Sequence, residues 1–164
     1  LVYRVKWEDL AKGIEDGIKK AIKPAIVMLL VYVVLIIATY HPFQLVIYKT
    51  LLGVVDKFGV VGVLISSLLG MLASLFNADA TYAYQSVLLY LTSVVTDVSV
   101  YPTIGVIFQA MYGFTMLFAP TSIILMIVLS YLDIPYTKWI KTIWKLLLEL
   151  LAVLLIVFIL LILL

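Results

Sequence analysis

Two polar clusters interrupt an otherwise apolar sequence and hold most of the groups able to do chemistry. The first is Asn77-Ala78-Asp79-Ala80-Thr81, with Gln85 just beyond it. The second is Ala119-Pro120-Thr121-Ser122, with Gln109 and Thr115 on the arm that precedes it. Pro120 removes a backbone donor and crowds the preceding turn. Thr121 and Ser122 offer hydroxyls to the freed carbonyls or to a ligand. The interruption is therefore either a kink in one helix or a discontinuous helix whose broken ends face a solute. In the second case, unpaired N–H groups at one half-helix start suit a carboxylate. Carbonyls at the other half's end, with Thr or Ser hydroxyls, suit Na⁺ or a protonated amine. Asp79 is the one carboxylate between the arms of the first cluster. Deep in lipid it needs a partner or a proton, which fits proton coupling, a bound cation or an amine substrate. In a water-exposed loop it needs neither.

Other chemistry is excluded by residue counts. The chain has no cysteine, so thiol catalysis, Cys-ligated zinc and disulfides are absent. His41 is the one histidine, which leaves no multi-His metal site within the chain. It reads as a turn residue at the outer surface. No nucleophile–base pair is visible, so an enzyme is not expected, and no cofactor is implied. The net charge of +2 says little about nucleic acid, which is not expected as a partner.

The elements that position the clusters follow from composition. Of the 164 residues, 66% are hydrophobic and only 12% charged. A soluble domain of this size has too little interior for that much apolar surface, so an all-α integral membrane protein is expected. Residues 4–23 carry an apolar stripe (Val5, Leu10, Ile14, Ile18, Ala21, Ile22) flanked by Trp7 and lysines. That spacing predicts an amphipathic helix, lying in the headgroup interface or packed on other protein. Residues 24–40 are uncharged and predict a span opening on Pro24. Residues 43–57, with Lys49, Asp56 and Lys57, are too short to cross and predict a helix at the outer surface. Residues 58–96 predict a hairpin with small residues on its first arm (Gly62, Ser66, Gly70, Ala73). Its tip at 77–81 is either a water-exposed loop or a re-entrant turn at mid-depth. After a polar connector around Asp97 comes the interrupted helix 103–132, then a final span at 139–164. Tyr82, Tyr84, Tyr90, Tyr101 and Tyr112 read as packing or interface residues.

Lysines set the orientation. The clusters at 4–23 and 138–145, the second with Trp139 and Trp144, favour the cytoplasmic side of the cell membrane. Two crossings between them, at 24–40 and 103–132, place both clusters inside. The chain opens on Leu1 rather than Met and is expected to be a fragment or a processed chain.

The order Phe108-Gln109, Gly113-Phe114-Thr115, Ala119-Pro120-Thr121-Ser122, then Tyr131-Leu-Asp-Ile-Pro-Tyr-Thr-Lys138-Trp139-Ile-Lys141, resembles the C-terminal part of DcuC/YfcC-type carriers. These belong to the ion-transporter superfamily of secondary transporters. The similarity runs over about residues 8–145 and is strongest over 108–141. Members often carry a Ser-Gly-rich tip where this chain has Asn77 to Tyr82, and Asp and Asn where it has Tyr112 and Met116. The resemblance implies the second half of an inverted-repeat transporter. A re-entrant hairpin and a Pro-broken helix would then meet at mid-membrane to hold solute and coupling cation. Position by position, that site falls on Asn77, Asp79, Thr81, Gln85, Gln109, Thr115, Pro120, Thr121 and Ser122. The expected activity is alternating-access movement of a small organic anion or amino acid, coupled to H⁺, Na⁺ or counter-solute exchange. The expected partners are the bilayer, an upstream repeat or partner chain, and a second copy in a homodimer. The competing reading is a non-transporting membrane subunit or scaffold whose polar breaks meet a partner protein.

Overall fold

A computed structural model describes residues 6–40, 43–53, 59–77 and 79–163. His41, Ala78 and residues 54–58, which include Asp56 and Lys57, lie outside the described residues. The described chain forms seven helices and no strand: α1 (Trp7–Tyr40), α2 (Phe43–Leu52), α3 (Val60–Phe76), α4 (Ala80–Val94), α5 (Tyr101–Met116), α6 (Ile123–Tyr131) and α7 (Tyr136–Leu163). A 3₁₀ turn at Val98–Val100 leads into α5.

The core is built on α3 and α5. Val63, Leu69 and Ala73 from α3 meet Ile104, Ile107, Phe108 and Met111 from α5. The two run side by side in the same direction, because Gly70 lies against Phe108 while Leu75, near the end of α3, reaches Thr121 past the end of α5. The small residues of α3 allow this approach. A Cβ added to Gly70 would lie 3.1 Å from Phe108 Cδ1. α4 returns antiparallel: Tyr84 stacks on Phe108 at 5.8 Å, and the Tyr101 hydroxyl donates to the Val95 carbonyl at the far end. α7 caps the pair, burying Ile143 and Phe158.

α1 differs from the expected two segments. Its 34 residues form one helix of about 51 Å with Pro24 inside it. Proline at position 24 has no N–H to offer the Lys20 carbonyl, the partner four residues back. That carbonyl instead accepts the Ser130 hydroxyl of α6 at 2.7 Å. A group 110 positions away thus replaces the missing bond and lets the helix run through. Ser130→Ala is expected to destabilise the fold by about 0.5–1.5 kcal/mol, the net worth of a typical hydrogen bond. In a Pro24→Ala background the restored backbone N–H bonds to the Lys20 carbonyl, and that loss should shrink towards zero. A thermal-denaturation double-mutant cycle in detergent checks it, and additive losses would disprove the link.

The interruption after α5 is a break and not a kink. α5 ends at Met116, α6 starts at Ile123, and six residues between them are non-helical or turn. The 103–132 run is thereby divided into helices of 16 and 9 residues, each short of a membrane span. Val60–Phe76 is apolar but has 17 residues, and Tyr136–Leu163 is the one described helix long and apolar enough to cross a membrane.

The α6–α7 turn has a compact cause. The Ile134 N–H bonds to the Leu129 carbonyl and the Asp133 N–H to Ser130, the paired bonds of a Schellman motif. Asp133 holds the left-handed position at φ 52°, where glycine is favoured. Asp133→Gly should therefore raise stability by about 1 kcal/mol, read as a higher melting temperature.

Candidate functional site at two adjoining helix interruptions

The α3–α4 turn and the α5–α6 break lie side by side. The Thr121 hydroxyl donates to the Leu75 carbonyl at 3.1 Å, joining positions 46 residues apart. Ala119, Thr121 and Ser122 are buried at the junction, while Pro120 is half-buried. The second polar cluster is thus brought against the last turn of α3, next to the first.

The individual side chains divide into three groups. In the first, hydroxyls are bonded within their own helix. Thr115 donates to Met111 at 2.6 Å, Ser74 to Gly70 at 2.6 Å and Ser67 to Val63 at 2.8 Å. These bonds satisfy buried hydroxyls and leave little donor capacity for a ligand. Asn77 likewise caps α3, with its backbone N–H and side-chain Nδ2 both donating to Ala73.

In the second group, residues expected in a buried site face outward. Asp79, Thr81, Gln85 and Gln109 are all exposed. Asp79 is the N-cap of α4: its backbone is extended (φ −96°, ψ 120°) and its Oδ1 accepts the Thr81 N–H at 2.7 Å. A carboxylate there satisfies an otherwise unpaired amide and complements the positive end of the helix. Asp79 is therefore a helix cap on the outside of the described fold. Asp before a helical apolar run is a start signal in its own right. Gln109 accepts the Tyr84 hydroxyl at 3.2 Å, and the same hydroxyl reaches the Phe108 carbonyl at 3.1 Å.

The third group is small. Ser122 is buried and begins α6 without a side-chain capping bond. Thr121 sits beside it. Through the Thr121 hydroxyl, the carbonyl end of α3 adjoins the start of α6, a partial negative end beside a partial positive one.

Two residues at the junction act in a way the sequence pattern hid. The Tyr136 hydroxyl donates to the Phe118 carbonyl, and Trp139 Nε1 donates to Leu117 at 3.0 Å. Both cap carbonyls left free where α5 ends. Trp139 followed by Lys141, Trp144 and Lys145 reads as an interface anchor, and that signal masks its capping role. The contacts also set the level of the junction. It lies beside the first turn of α7, ahead of Lys141 and Lys145 rather than beside the middle of that helix.

At the opposite end, Asp97 accepts both the Ser99 hydroxyl, at 2.7 Å, and the Ser99 N–H. The hydroxyl bond first and the amide bond second hold its carboxyl below its ordinary value. No group of three His, Cys, Asp or Glu residues is arranged to hold a metal among the described residues. No family model, curated protein or solved structure matches the chain.

Proposed function

We propose that this chain is one repeat of a secondary active transporter that moves a small organic anion or amino acid across the cell membrane. The observation that carries the reading is the Thr121–Leu75 bond, which brings two helix interruptions from separate helical pairs together. Helix ends with free amides and carbonyls are the parts from which such sites are made. Here a carbonyl end and an amide end adjoin, which favours a solute bearing both charges, an ammonium on the α3 side and a carboxylate on the α6 side. Amino acids are therefore preferred over dicarboxylates. Thr121 and Ser122 are the closest polar groups to that position, with Asn77 at its edge. Asp79, outside the junction, acts on the solute's approach or on coupling by H⁺ or Na⁺.

The membrane setting is part of the proposal. Its support is the apolar surface left open: Ile124 is 78% exposed, Leu163 70% and Leu29 64%. Soluble monomers rarely expose apolar surface on this scale. In this reading α1 from Pro24, the α5–α6 pair and α7 cross the bilayer, and α3–α4 form a re-entrant hairpin. The lysines of α1 and of the start of α7 lie on the cytoplasmic side. The junction, level with the start of α7, then opens toward that side and not at mid-depth.

A second reading also has an observation in its favour. The bonded hydroxyls of Ser67, Ser74 and Thr115 serve packing, which suits a non-transporting membrane scaffold. Uptake of amino acids and dicarboxylates by proteoliposomes separates the two. Thr121→Ala should lower uptake about tenfold or more, the scale of one lost hydrogen bond at a charged ligand. Asp79→Asn should change it less. Wild-type rates in both variants would remove the proposed site, and no uptake above that of empty liposomes by the native protein would remove the carrier reading in favour of the scaffold.

A further inference from the structure

A cleft of about 540 Å³ runs between α1 and α6, apart from the junction. Its size lies within the ~300–1,000 Å³ of small-molecule sites. One wall is a ladder of small residues four apart, Gly13, Gly17, Ala21 and Ala25. The other is Ile123, Met126 and Ile127. Asp16 and Lys20 line one end and Met28 the other. Neither Asp16 nor Lys20 forms an ion pair among the described residues; the pair that does form, Lys19–Glu15, does not line the cleft. Lys20 Nζ is held 5.4 Å from the centre of the Tyr131 ring, and its backbone carbonyl is tied to Ser130. The cleft straddles a boundary in the sequence, since Lys23 is the last charge before the uncharged run 24–40.

We propose that this cleft holds one membrane phospholipid with an ethanolamine headgroup. The phosphate meets Lys20, the headgroup ammonium meets Asp16, and an acyl chain lies along Ala21, Ala25 and Met28 against Ile123 and Ile127. Charge complementarity selects this occupant. A cation and an anion one helical turn apart match a headgroup carrying both signs, and the apolar floor starts where the charges stop. A free anion would use Lys20 alone and leave that floor bare. An acidic glycerol headgroup would meet Lys20 but be repelled by Asp16.

The inference rests on the membrane reading, which resistance of the protein to alkaline extraction from membranes tests by itself. Its own test is native mass spectrometry of the protein carrying this chain, released from detergent micelles. The probes are dioleoyl phosphatidylethanolamine, dioleoyl phosphatidylglycerol and glycerophosphoethanolamine, the headgroup without chains. One phosphatidylethanolamine should stay bound, in preference to phosphatidylglycerol, and the chainless headgroup should not bind. Gly17→Leu should weaken retention about tenfold, as expected for a chain losing contact over about two methylenes. A Cβ at Gly17 meets nothing within 4 Å, so a side chain can start there in open space and extend into the cleft. Asp16→Asn should erase the headgroup preference, and Lys20→Gln should lower retention if Gly17→Leu fails to fold by circular dichroism. Equal retention in Gly17→Leu and Lys20→Gln would overturn the proposal. So would competition by glycerophosphoethanolamine, which marks a simple phosphate site, or an intermolecular disulfide in Gly17→Cys, which places a second copy in the cleft.

Discussion

Replacing Gly70 by leucine should destabilise the protein by about 3 kcal/mol, the upper part of the range for overpacking a close contact. The added Cβ alone would stand 3.1 Å from Phe108 Cδ1 and 3.4 Å from the Met111 Cβ. The first contact is with a ring that itself has no room to move, since Phe108 is only 2% exposed and stacks on Tyr84. A leucine therefore forces α3 and α5 apart, which also stretches the Thr121–Leu75 bond at the far end of the same pair. Gly113, also on α5, is the control. A Cβ there meets nothing within 4 Å, so Gly113→Leu should be neutral or gain up to about 1 kcal/mol of helix propensity. Heat or dodecyl sulfate unfolding followed by circular dichroism reads both. A small effect at Gly70 would mean that α3 and α5 do not pack this closely.

Phe108→Ala should cost about 3–5 kcal/mol, as buried phenylalanines do when truncated. The ring fills the space that Gly70 leaves, faces Tyr84 at 5.8 Å and touches the centre of the core. Its backbone carbonyl keeps the Tyr84 hydroxyl bond, so the loss is one of packing and cavity. The two substitutions act on a single contact and should not add. Gly70→Ala, whose Cβ presses on that held ring at 3.1 Å, should be better tolerated with Phe108→Leu than with the native ring. Unfolding measurements on the four-member cycle check this, and strict additivity would contradict it.

An interruption at Pro120, whether kink or break, and the small-residue packing of α3 were legible because both have local causes. Proline takes away a donor within one turn, and glycine and serine at helical spacing mark a close approach. The hairpin was legible in the same way, from two apolar arms around a polar tip. The continuity of α1 was not, because Pro24 signals a start and the Ser130 hydroxyl that rescues it lies in α6. The roles of Tyr136 and Trp139 were hidden for a related reason, since the carbonyls they cap lie just past the end of α5. For Asp79 two valid signals competed. A lone carboxylate between apolar arms points to a buried site, whereas Asp before a helix points to an N-cap, and the local bond to Thr81 prevailed.

In the proposed carrier, the turn after α3 and the break after α5 meet and work as one site. The native chain has no cysteine, so a single introduced pair reports on this cleanly. Asn77→Cys with Pro120→Cys, joined by a short thiol cross-linker in proteoliposomes, should link within one molecule and stop solute uptake, and reduction of a cleavable linker should restore it. Failure to link, or uptake that continues at the uncross-linked rate once the pair is joined, would contradict the account.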